Sequence, residues 1–204
     1  MVLVGFVISP TRVFTPGERH EYLVEMSTTS AIGLEEVRFR LALVSTLEKP
    51  GAKETGPQLD CFYLEAEGKL DGKPTARPVA GRIRLPWTER GLSDRLNLTD
   101  PTGRYALVLA ALYWPESFVS TGRTRIARLD LAGNGWLAGD FSLSRFSASG
   151  PTWKFSGDLN SGSESVGKLE LNVTLDPTTF WPISAVINLA RPDGTVNLKL
   201  RRKE

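Results

Sequence analysis

Cysteine occurs once, at Cys61, and histidine once, at His20. A single thiol excludes an intrachain disulfide and every paired-cysteine metal or redox motif. A single imidazole excludes zinc sites built on several histidines, leaving only oxygen-ligand sites open. An excess of charge of one sign is missing too: 25 basic residues face 23 acidic ones, for a net +2. Nucleic acid is therefore not expected as a partner, because no broad basic field exists to attract it. No run approaches the roughly 20 apolar residues of a membrane-spanning helix. Residues 1–10 are apolar but lack the positively charged leader of a secretory signal. They read as a first strand, and the expectation is a protein made in the cytoplasm.

Helical periodicity is equally scarce. Only 27–36 and 88–96 could hold a turn or two of helix. What fills the chain instead is alternation of apolar and polar residues, the pattern of a half-buried strand. Val37, Phe39, Leu41 and Leu43 share one face of a strand, with Glu36, Arg38 and Arg40 on the other. The same pattern recurs at 79–85 and 168–175. Further strands are expected at 20–26, 59–67, 123–131, 135–146, 151–159, 183–190 and 195–201, with 1–8 and 104–114 in addition. Turn signals separate them: Asp71-Gly72, Asn134-Gly135, Asn160 to Ser163 and Arg191-Pro192-Asp193-Gly194. The segments 48–58 and 68–78 read as the longest loops. About a dozen strands with little helix predict an all-β, antiparallel β-sandwich or jelly-roll-like barrel. With 204 residues, 41% hydrophobic and 24% charged, a single domain spanning 1–204 is the simplest organisation.

Catalytic chemistry is hard to assemble from this inventory. Cys61 would need His20 as its base, and its neighbours Phe62 and Tyr63 mark it as a small hydrophobe in a strand. Glu65 and Glu67 fall on one strand face, where they read as solvated residues opposite Phe62, Leu64 and Ala66. The glycines of 133–139 miss the dinucleotide spacing, and no P-loop, HExxH, EF-hand or nucleophile-elbow motif occurs. No cofactor and no metal are expected. The sequons at Asn97 and Asn172 carry little weight without a secretory signal, and Arg201-Arg202-Lys203 is a short, solvating basic tail.

Two surface features remain. Arg38 with Arg40, Arg82 with Arg84, and Arg123 with Arg125 would form a guanidinium ladder for anions if their strands were neighbours. The alternative is that they pair across strands with Glu25, Glu36, Glu65 and Glu67. Trp87, Trp136 and Trp181 could stack on sugar rings if they were exposed together. The apolar segments around Val2, Val4 and Phe6, and around Leu107 and Leu109, could add strands to a neighbouring sheet. A non-enzymatic structural protein acting by subunit packing follows, with a virion capsid or tail component as its most concrete form. The alternative is a carbohydrate- or anion-binding module using the named Trp and Arg residues.

Overall fold

The computed structural model describes residues 15–47, 57–75, 81–88, 91–92, 123–130, 136–144, 150–161 and 164–203. The segments holding Val2, Val4, Phe6, Leu107, Leu109 and the Asn134-Gly135 turn lie outside them, as do the side chains of Arg82, Arg84 and Trp87.

Every described element is a strand: β1 (Arg19–Ser30), β2 (Gly33–Leu47), β3 (Pro57–Leu70), β4 (Lys73–Thr75), β5 (Gly81–Thr88), β6 (Gly91–Leu92), β7 (Arg123–Asp130), β8 (Trp136–Ser144), β9 (Thr152–Ser161), β10 (Glu164–Leu175), β11 (Pro182–Arg191) and β12 (Gly194–Arg202). The expected class, antiparallel, all-β and sandwich-like, is the class these strands build. They form one sheet in the order β6-β5-β3-β2-β1-β12-β11-β10-β9-β8-β7, with β4 paired to β3. The order is a meander on either side of one long-range seam. At that seam β1 and β12 pair from Tyr22↔Arg202 to Ser30↔Gly194. β6 and β7 end the path, so among the described residues the sheet is open.

Alternation fixes which face goes inward. Tyr22, Val24 and Met26 of β1 share the inner face with Phe39, Leu41 and Leu43 of β2 and with Leu59 and Cys61 of β3. Leu169, Leu171, Val173, Ile187, Leu198 and Leu200 continue it across β10, β11 and β12. Trp153 and Phe155 of β9 and Phe141 of β8 complete it. All belong to one connected apolar cluster. Around Leu41–Leu43 and Gln58–Cys61 the sheet is buried on both faces, since Ala42, Gln58 and Asp60 are also shielded.

Two expectations about non-strand segments are corrected. Residues 27–36 are not helical: Ser27–Ser30 finish β1, a turn occupies Ala31–Ile32, and Gly33 opens β2. Hydroxyl-bearing residues here lie on a sheet with strand partners on both sides, which overrides their local versatility. Most of 68–75 is hairpin rather than loop, because Asp71 (φ 48°) and Gly72 (φ 77°) form the two-residue turn with both φ positive that suits a right-twisted hairpin. Asp71 also fastens the adjacent β2: its carboxylate accepts the Leu34 N–H at 2.9 Å and its own N–H donates to the Leu34 carbonyl at 2.8 Å.

Candidate functional site

Strand order decides which of the sequence-predicted residues meet. Arg38 and Arg40 lie on β2, and Arg82 and Arg84 on β5, with β3 between them. Arg82 and Arg84 are in register with Phe62 and Asp60. Arg125, with Arg123, belongs to the far edge strand β7. The polar face around Arg38 is charge-balanced rather than cationic. In one row across four strands stand Lys199, Glu25, Arg38 and Glu67, so that each interior charge is flanked by opposite ones. Arg38 Nε lies 3.6 Å from Glu25 Oε1 with both side chains more than half exposed. In the next row are Asn197, Ser27, Glu36 and Lys69. A shallow cleft of about 410 Å³ runs over these two rows. Its alternating charges give cross-strand pairing and little net attraction for an anion. Arg40 is placed between Leu23 and Leu64.

The tryptophans do not form one platform. Trp87 is on β5 and Trp136 on β8, near opposite edges of the sheet. Trp136 is half-buried and carries the Arg128 guanidinium 5.3 Å from its ring centroid. Trp181 is 0% exposed, so its expected stacking role is corrected. The adjacent Pro182 marks a loop, and the residue does lie just before β11. The loop, however, folds the indole into the core.

That loop gathers a connected group of polar side chains. The Asp176 Oδ1 accepts the N–H groups of Thr178 and Thr179 at 2.9 and 3.0 Å. Phe180 N–H donates to the Asp176 carbonyl at 2.9 Å, and Asp176 N–H donates to the Trp181 carbonyl at 2.8 Å. Closing this short circuit holds Phe180 at φ 58°, a left-handed conformation uncommon for a bulky residue. The other carboxylate oxygen accepts Arg202 Nη2 at 2.9 Å, which ties the loop to β12. On the β1 side, His20 Nε2 lies 3.0 Å from Glu18 Oε1, and the His20 ring is 4.4 Å from the Trp181 ring. The Tyr22 hydroxyl donates to the Pro182 carbonyl at 3.0 Å. Burial pushes the Glu18 carboxyl up, against the opposing pull of Arg202.

The Arg202 hydrogen bond, helped by the two backbone N–H groups, holds Asp176 down at about 2 against an ordinary 3.8. Its side chain is only 21% exposed, so the charge-assisted bonds are partly shielded from water. A carboxylate with a depressed folded pKa adds stability in full above its unfolded value and loses it as pH falls through the folded one. We expect a loss of about 2 kcal/mol between roughly pH 4 and pH 2. Urea titrations at stepped pH check this, with Asp176→Asn expected to flatten that limb of the profile.

Cys61 does not join this cluster as a nucleophile. Cys61 is in the same row as His20, but Leu43 stands between them, and the thiol is fully buried. Burial, together with Asp60, pushes the Cys61 thiol well above its usual range, away from the reactive thiolate. Among the described residues no group of three or more His, Cys, Asp or Glu could hold a metal. The sequence could not reveal this cluster, because its members come from both strands at one end of the sheet's central seam and from the β10–β11 loop. The larger feature is the inner face itself, apolar from β3 through β8.

No protein-family model matches the chain, and comparison with curated proteins finds no match. A solved structure of lipovitellin is similar to it. That structure, described as lipid–protein interactions in lipovitellin, superposes with a TM-score of 0.55 at 9% identity. The match covers 94% of this chain but 26% of that one. At this identity the likeness concerns the fold: a wide antiparallel sheet. Among the described residues no helix is long and apolar enough to cross a membrane.

Proposed function

We propose that this chain is a non-catalytic binding protein that works through the inner face of its sheet, taking up a long apolar molecule of lipid type. The observation that carries this reading is the continuous apolar inner face of a single broad sheet. Lipovitellin, similar in fold, is described by its interactions with lipid, and that chemistry suits a face with so few polar atoms. Solvent extraction of the purified protein followed by mass spectrometry tests the reading, together with titration by a fluorescent fatty acid. We expect a co-purified lipid, or saturable uptake near one probe per chain. Neither lipid nor probe binding would overturn it.

A second reading, packing of identical or related subunits as in a virion shell or tail, is favoured by the two sheet edges left open among the described residues. Light scattering over a concentration series separates the two, since a monomer that binds lipid supports the first and a defined lipid-free oligomer the second. Carbohydrate stacking by Trp87, Trp136 and Trp181 as one set is not carried forward, because Trp181 is in the core.

A further inference from the structure

The outer face of the sheet is open around Glu25 and Arg38, whose side chains are both more than half exposed, and around Glu67 and Lys199, which are exposed too. Read across β12, β1, β2 and β3, the central row of this face runs Lys199, Glu25, Arg38, Glu67: plus, minus, plus, minus. An alternating row of even length has a property that a uniformly charged one lacks. Turned end for end it reads minus, plus, minus, plus, the complement of itself. A two-fold symmetric dimer joins the same patch of both subunits, so self-complementarity is what such an interface requires.

We infer that two copies of this chain pair through this face, about a two-fold axis running along the strands between β1 and β2. The inference rests on the subunit-packing reading above and is independent of lipid uptake. That axis sets Lys199 opposite the partner subunit's Glu67, and Glu25 opposite the partner subunit's Arg38, each contact occurring twice. In the adjoining row it sets Lys69 opposite Asn197 and Glu36 opposite Ser27. On the other side Arg201 falls opposite Leu64, and Arg40 opposite Leu23. No like charges meet in any of the three rows. An axis laid along the row instead would set each residue against its own copy, Lys199 on Lys199, so the charge pattern selects one symmetry of the two. Stacked sheets keep their strand directions within about 30° of each other, which leaves the rows opposed near the axis. The shallow cleft over the rows gives the long Arg38 and Lys199 side chains of the second copy room to enter.

Sedimentation velocity of the full chain over a concentration series tests this. Exposed ion pairs are individually weak and are screened by salt, so wild-type dimerisation is expected to weaken about 10-fold or more between about 0.02 M and about 0.5 M salt. Arg38→Glu sets like charges opposite each other twice, as does Glu25→Arg, and each variant alone should dimerise about 10-fold more weakly or worse. Mixed in equal amounts, the two variants are complementary at every position of the row and should form a heterodimer. Carried together in one chain, the two changes should restore the homodimer. Both positions are exposed, and the mixture and the double variant separate facing charges from any local disturbance. Either single variant associating as wild type does, or a mixture and a double variant that stay monomeric, would overturn the inference and leave subunit packing through the sheet edges standing. Wild type monomeric at every concentration and salt would remove both.

Discussion

Replacing Trp181 with alanine is expected to destabilise the fold by about 3–5 kcal/mol, the range for deleting a large buried aromatic side chain. The indole is fully buried, packs beside His20, and is positioned by a loop closed through four hydrogen bonds centred on Asp176. Such a loop has little freedom to collapse into the space left behind, so the cost should fall toward the upper end. Equilibrium denaturation measures it directly. Trp136→Ala is the control, since its half-buried ring should cost far less, and similar losses for the two would show that Trp181 does not close the core.

Gly157→Val should be nearly as damaging, at about 3 kcal/mol, the high end for forcing bulk into a packed interior. Gly157 faces Gly139 across β8 and β9, and a Cβ there would press on the backbone of Ala138 and Gly139 as well as on Phe155. The backbone cannot yield as a flexible side chain could. Ser156→Val, one residue away on the exposed face, separates this steric effect from any change in strand propensity. Comparable denaturation midpoints for the two variants would rule out the close approach as the cause.

Much of the fold was legible because strand pairing writes a period of two into the sequence. The alternation at 36–43, 168–175, 183–190 and 195–201 identified strands inside β2, β10, β11 and β12, and the Pro192-Asp193 turn joins the last two as expected. The misreadings came where local preference and tertiary pairing disagree. Ser27 to Ser30 and Glu35 show no alternation of their own and are held extended by neighbours on both sides. Trp181, beside Pro182, reads from sequence as a loop residue open to stacking. The loop's internal hydrogen bonds, together with the Asp176–Arg202 contact that ties it to β12, turn it inward. The charge row of Lys199, Glu25, Arg38 and Glu67 needed the strand order, which no local pattern encodes.

The β1–β12 seam has a consequence for the order of events during synthesis. β1 and its partner β2 are made well before β12, so one side of β1 must wait until Gly194–Arg202 has been made. Between those two events the nascent chain presents an unsealed strand edge, the feature through which sheets add foreign strands. β12 closes it, joining two meanders that lie on either side of the seam.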